Sequence, residues 1–498
     1  MMETDAVMAE TSAFINQNHK LFIGADRQSA RSGRTLDVYN PATGKVITQV
    51  PAGDKEDVNL AVAAARQAFD DSDWSRLKPA DRERLLWRLA DLIEQNAELL
   101  AEIESIDNGK SKAIAQAVDI QLAINFLRYM AGWATKIEGH TVNPSLPFMP
   151  GAEVFACTTL EAVGVVGAIV AWNFPLLLAC WKLGPALATG CTVVLKPAEE
   201  TPLTALKLGE LIQEAGYPTG VVNIVTGEGH EAGAALSAHP DVDKLTFTGS
   251  TEVGKLIGKA AMDSMTRVTL ELGGKSPTIV MPDADLTIAA QGAANAIFFN
   301  HGQVCCAGSR LYVHKKHFDR VVADVSDIAA NLPLGHGLDA NAQMGPLVSA
   351  RQQQRVQDYI NQGLEAGARA TVGGQAYEGD GYYVNPTVLV DVDQQSAVTR
   401  EEIFGPVLVA MPFDDMDEAI RIANDSQYGL GASIWSNNLS EVHRMIPRIK
   451  SGSVWVNCHT ALDPSLPFGG FKQSGLGREM GREVLEHYTE VKSVVINL

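Results

Sequence analysis

The chain has no run of basic residues: 40 Lys and Arg stand against 59 Asp and Glu in 498 residues, a formal net charge of −19. That balance speaks against nucleic acid and anionic membrane surfaces as partners. Long apolar runs are also missing. The best of them, residues 163–170 and 176–181, are interrupted or ended by Gly, Pro or charge well short of a bilayer span. The opening MMETDAVMAETSAFINQN has neither a basic stretch nor an apolar core, so no secretory signal is expected and a cytoplasmic location is. Cysteine is scarce, with Cys157, Cys180, Cys191, Cys305, Cys306 and Cys458 the full set of six, which fits a reduced protein and not a disulfide scaffold. No internal repeat or low-complexity segment occurs.

What is present is a long chain with 46% hydrophobic residues, too large for one core and expected to divide into two or three domains. From Asp81, Leu85, Leu86, Leu89, Leu92 and Ile93 recur at helical spacing. This N-terminal region therefore reads as amphipathic helices, with a packing role and no chemistry.

After residue 163 the pattern changes to short apolar strands alternating with amphipathic helices, at 163–172, 192–196, 221–225 and 244–248. Strands apolar on both faces, each followed by a helix, predict a parallel α/β sheet covered on both sides. Ligands of such sheets bind beyond the carboxyl ends of the strands, and polar or glycine residues stand at each of those ends here. A nucleotide-sized ligand follows. The stretch GEG at 227–229 has Ala232 where the G-x-G-x-x-G fingerprint needs glycine, and Gly233 comes one place late. A second α/β unit follows Gly273, with strands near 278–281, 310–313 and 407–410, and the tail 492–498 reads as a strand in need of a partner sheet.

Inside the second unit, NHGQVCCAGSR at 300–310 sets two cysteines side by side. A structural zinc site needs several Cys or His at recurrent spacing, and only His301 is near, so no metal is expected. A disulfide between sequence neighbours forms a strained ring and braces nothing. Two readings remain open on these residues alone: a pair of small buried hydrophobes, or a nucleophile. ELGGK at 271–275 adds a carboxylate next to a Gly-Gly pair that permits close backbone approach, although Glu271 could equally form a surface ion pair.

Together, WNFP at 172–175, KPAE at 196–199, FTGS at 247–250, ELGGK at 271–275, GQVC at 302–305, EIFGP at 402–406 and PFGG at 467–470 resemble the ordered motif series of the NAD(P)-dependent aldehyde dehydrogenase superfamily. The resemblance implies the aldehyde dehydrogenase-like α/β fold. Its parts would be a modified Rossmann cofactor domain (1–141 and 162–272), a catalytic α/β domain (273–473) and a small β oligomerisation element (142–161 and 474–498). A homo-oligomer, tetramer before dimer, goes with it.

The implied reaction oxidises an aldehyde to an acid through a thioester on Cys305, with Cys306 a packing neighbour. Oxyanion donors would be the Asn173 amide and the Cys305 N–H, and Glu271 would activate the hydrolytic water. Implied cofactor contacts are Lys196 and Glu199 at the adenosine ribose, Gly249 and Ser250 near the pyrophosphate, and Glu402 and Phe404 at the nicotinamide end. Ile169, Trp172, Gly229, Gly233, Phe247 and Leu272 complete the cradle. Glu199 would repel a 2′-phosphate, favouring NAD while leaving NADP possible.

The implied substrate tunnel consists of Phe174, Leu177, Trp181, Phe299, His301, Leu462 and Phe468. Its aromatic walls suit an apolar aldehyde, and the texture of residues 457–468 and 345–349 is most similar to the phenylacetaldehyde-oxidising branch. Aliphatic, betaine and other amino aldehydes are the alternatives. His301 is assigned to the tunnel mouth and not to catalysis, because the resemblance does not require histidine there. From other classes, a cysteine hydrolase would need a histidine paired with Cys305 and no nucleotide site, and a non-catalytic binding protein would be expected to have lost Cys305 or Glu271.

Overall fold

A computed structural model describes residues 7–498; the first six residues of the N-terminal segment, part of the stretch read above for a secretory signal, lie outside the described residues. An eight-stranded and a seven-stranded sheet form the two main layers, with small sheets of three and two strands beside them. The apolar runs of the sequence become the parallel centre of the first sheet, strands Val165–Ile169, Thr192–Lys196, Val222–Ile224, Lys244–Thr248 and Arg267–Glu271. All five residues of the strands at 165, 192 and 244 are buried, as covering on both faces requires.

The second sheet is parallel through Thr387–Val390, Val407–Phe413, Arg310–His314, Pro277–Val280, Gly431–Trp435 and Ser453–Val456, with one antiparallel edge strand, Arg369–Val372. The tail strand Thr489–Asn497 finds its partner in Val154–Ala162, pairing antiparallel over nine residues. Between the two, Gly475–Leu476 behaves differently from its neighbours. It pairs antiparallel with Arg267–Glu271, so the stretch just after 474 belongs to the first sheet, not to the three-stranded one.

The amphipathic helix expected from Asp81 runs Pro79–Gln95 and buries Leu86, Leu89, Leu92 and Ile93, leaving Leu85 half-buried. Among the described residues no helix is long and apolar enough to cross a membrane.

Candidate active site

One cavity of about 2370 Å³ is lined from both main sheets. Glu271 is the last residue of its strand, and Asn173 lies in the turn between strand Val165–Ile169 and the buried helix Pro175–Thr189. Cys305 follows the helix Leu286–Phe298 and the 3₁₀ turn Phe299–Gly302, in which Asn300 (φ 47°) and His301 (φ 57°) adopt the left-handed conformation. Such residues cost strain that the surrounding structure must over-determine.

All three candidate catalytic residues line this cavity. The Asn173 amide donates to the Gln303 carbonyl at 2.9 Å, which fixes one N–H and leaves the other for a ligand. Behind Cys305, two glycines make the packing possible. A Cβ at Gly273 would overlap the Glu402 carboxylate, and one at Gly274 would overlap the Cys305 carbonyl.

Cys305 is half-buried and Cys306 is buried in the core. The two thiols share a hydrogen bond, and two thiolates cannot form side by side; that bond, followed by burial, pushes the Cys305 thiol well above its ordinary range. Glu271 is 5% exposed and its Oε2 has no hydrogen-bond partner among the described residues, so the surface-pair reading of ELGGK does not apply. Burial, with Glu479 as a neighbouring negative charge, holds its carboxyl well above the usual range. Glu479 in turn is paired with the buried Lys182 at 2.6 Å.

At the cofactor end, Lys196 and Glu199 are joined at 2.6 Å, and the Gly229 N–H donates to Glu199 at 3.3 Å. Burial alone would raise the Glu199 carboxyl, but Lys196 outweighs it and keeps the group ionised. Gly249 and Ser250 lead into helix Thr251–Asp263, whose first turn faces the cavity and whose N-cap is the Ser250 hydroxyl. This is a ready site for a pyrophosphate. Ile169, Gly233, Phe247 and Leu272 line the same end, while Trp172 and Phe404 meet edge to face at 5.2 Å. Glu402 accepts from the Gly274 N–H at 3.0 Å, and burial pushes its carboxyl up to about 7.

At the other end, Phe174 and Phe299 stack with centroids 6.4 Å apart, and Trp181 leans on Phe468 at 5.8 Å. Leu177 and Leu462 fill the remaining wall.

His301 is the exception among the expected tunnel residues. It is 2% exposed, does not line the cavity, and packs against Gly345 and Pro346. Burial pushes its imidazole down to about 3, so it is neutral and sits behind the wall. The left-handed turn that presents Cys305 is what points His301 inward.

Several lining residues carried no motif. Ile114, Val118 and Leu122 come from the N-terminal helical region, whose amphipathic pattern points only to packing. Their i, i+4, i+8 spacing was the available signal. From helix Ala350–Glu365, Gln352 donates to the Phe404 carbonyl at 2.8 Å and Arg355 to the Glu402 carbonyl at 2.8 Å. Nothing in the sequence around them marks that role.

The fit of this site to a dinucleotide agrees with comparison to known proteins. The profile described as the aldehyde dehydrogenase family matches residues 28–494. A phenylacetaldehyde dehydrogenase of Pseudomonas fluorescens is 51% identical over 480 residues, 96% of each chain. The NAD+ complex of an aldehyde dehydrogenase from Bacillus cereus superposes with TM-score 0.97 at 47% identity, covering 99% of both chains. A mutant of the P. syringae indole-3-acetaldehyde dehydrogenase AldA, in complex with NAD+ and IAA, superposes with TM-score 0.94 at 43% identity, covering 99% of this chain and 100% of that one. With the profile spanning nearly the whole chain and these relatives matching from end to end, the chain belongs to the aldehyde dehydrogenase family.

Proposed function

We propose that this enzyme oxidises an apolar aryl aldehyde, phenylacetaldehyde being the favoured one, to its acid with NAD. The observation that carries the reading is the continuity of a single cavity from the Lys196–Glu199 end, past Cys305, to the aromatic end.

The Cys305 thiolate adds to the aldehyde carbon, and the free N–H of the Asn173 amide with the Cys305 backbone N–H receives the oxyanion. NAD, when bound, supplies the hydride acceptor. The resulting thioester on Cys305 is hydrolysed by a water whose proton goes to the ionised Glu271 carboxylate. Because burial holds the Glu271 carboxyl well above the ordinary carboxylate range, this hydrolytic step slows as pH falls and the group takes up its proton. Gly229, Gly233, Gly249, Ser250 and the ribose-side pair Lys196 and Glu199 hold the dinucleotide. The ionised Glu199 disfavours a 2′-phosphate, hence NAD before NADP.

The tunnel favours an aryl group over a quaternary ammonium. Phe174 already carries the Lys110 ammonium on one face, 4.4 Å from its centroid, which makes it a poor host for a second cation. The relative that oxidises phenylacetaldehyde supports the choice, and the indole-3-acetaldehyde relative keeps a larger aryl acetaldehyde as the second reading. We place residues 1–141 and 162–272 in the cofactor domain, 273–473 in the catalytic domain, and 142–161 with 474–498 in an oligomerisation element, except that Gly475–Leu476 goes with the sheet of the cofactor domain. Exposed Phe155, Val491, Val495 and Ile496 on its paired strands support a homo-oligomer; a tetramer before a dimer, in the cytoplasm, is part of the same proposal.

The test is kcat/KM for phenylacetaldehyde, indole-3-acetaldehyde, acetaldehyde and betaine aldehyde with NAD and NADP. Phenylacetaldehyde with NAD is expected to rank first. Betaine aldehyde at the top would refute the tunnel reading.

A further inference from the structure

We propose that Lys110 is a positioning residue of the active site, whose buried ammonium fixes the backbone of Asn173 and the ring of Phe174. The inference rests on the reading of Asn173 as the oxyanion donor.

Lys110 lies in the turn after helix Ala97–Asn108, and its side chain is fully buried. Its Nζ donates to the Asn173 carbonyl at 2.9 Å and to Glu104 at 3.0 Å, pairs with Asp119, and lies over the Phe174 ring. Two residues earlier, the Asn108 amide donates to the Trp172 carbonyl at 2.7 Å. Glu104 also accepts the Leu176 N–H at 3.3 Å, at the start of the helix that carries Leu177 and Trp181. The turn thus holds both backbone carbonyls that flank the Asn173 Cα, from which the side-chain amide projects, and the first turn of the tunnel helix.

A buried ammonium between two buried carboxylates is poor value as a stabilising device, since apolar side chains of equal volume hold a core as well or better. What an apolar side chain lacks is a donor for the Asn173 carbonyl and a cation for the ring. Removing Lys110 leaves that carbonyl with the Asn300 amide alone, at 3.1 Å. The π-helical turn Ala115–Ile120 supplies the second tie. Its wider winding directs Asp119 inward to the ammonium while Val118 lines the cavity, so one buried cation joins the tunnel wall to the oxyanion turn. Burial would lower the Lys110 ammonium, but Asp119 and Glu104 outweigh it and the group stays charged.

The experiment uses Lys110→Met, of similar length and without a donor. Three quantities are measured: the rate constant of the pre-steady-state NADH burst per titrated active site, NAD affinity, and KM for phenylacetaldehyde against acetaldehyde. We expect the burst to slow at least about tenfold, as for a donor displaced by a fraction of an ångström. NAD affinity should be unchanged, and KM should rise for the aryl aldehyde only. A purely structural role lowers the melting temperature and leaves the burst rate per site as in the wild type, which overturns the proposal. Should Lys110→Met not fold, Asp119→Asn decides on the same readouts: a slower burst supports the proposal and an unchanged burst overturns it. Asn173→Ala separates the two claims. If it abolishes the burst while the deciding variant does not slow it, positioning by Lys110 fails alone; if it leaves the burst intact, the oxyanion assignment itself fails.

Discussion

The two ends of the cavity are built from different materials. At the cofactor end the wall is mostly backbone and small residues, with Gly229, Gly233, Gly249 and the first turn of Thr251–Asp263 lining the space. At the substrate end it is side chain, with the rings of Phe174, Phe299, Trp181 and Phe468 against Leu177 and Leu462. At Gly249 that wall has no room for an added Cβ, which would overlap the Phe247 ring, whereas a side-chain wall can be reshaped one residue at a time. Cys305, Asn173 and Glu271 stand where the two meet, so changes on either side should be separable in what they damage.

The largest effect is expected at the junction. Cys305→Ala abolishes NADH formation, while Cys306→Ala leaves most of it, read as steady-state rate with phenylacetaldehyde. Next, Glu271→Gln retains the NADH burst and slows steady turnover by about 100-fold or more, the usual range for a lost general base. The pH profile follows from the same residue and its neighbour. Both Cys305 and Glu271 are shifted upward, so both are neutral below their raised values: the burst rate climbs as pH rises through the first, and steady-state kcat as it rises through the second. In Glu271→Gln the rise persists in the burst, which needs only the thiolate, and disappears from the deacylation step.

On the substrate side, Trp181→Ala lowers kcat/KM for phenylacetaldehyde about tenfold more than for acetaldehyde, the scale of a lost apolar contact in a tunnel. NAD affinity stays fixed. The smallest effect belongs to the cofactor side, where Glu199→Gln narrows the preference of NAD over NADP by about tenfold or less in KM. Equal damage to both substrates in Trp181→Ala, or to aldehyde KM in Glu199→Gln, would show that the two ends are not independent.

Legibility in the sequence follows the same division. Cofactor contacts sit at strand ends and beside glycines, so their positions follow from where apolar runs stop. Cys305 and Glu271 are carried by short local motifs. The substrate end is assembled from distant segments, and three of its lining residues have no local motif: Ile114, Val118 and Leu122 come from a region whose amphipathic pattern speaks only of packing. His301 went astray for a backbone reason. Adjacency to GQVC put it near the tunnel, but two consecutive left-handed residues, Asn300 and His301, turn its ring to Pro346. The strand Gly475–Leu476 was equally invisible, being two residues long and placed by its partner's edge and not by its own pattern. Lys110 had no local signature either, because its partners Glu104, Asp119 and Asn173 are brought together only by the fold.

The central claim, that Cys305 carries the acyl group and Glu271 releases it, is tested most directly by trapping that group. Glu271→Gln mixed with phenylacetaldehyde and NAD, quenched in acid during the slow phase and digested, is read by mass spectrometry of the peptide containing residues 305 and 306. A phenylacetyl mass on Cys305, formed only when NAD is present and absent from Cys305→Ala, is the predicted result. The same mass on Cys306, or NADH release with no acyl adduct on either sulfur, would contradict the account.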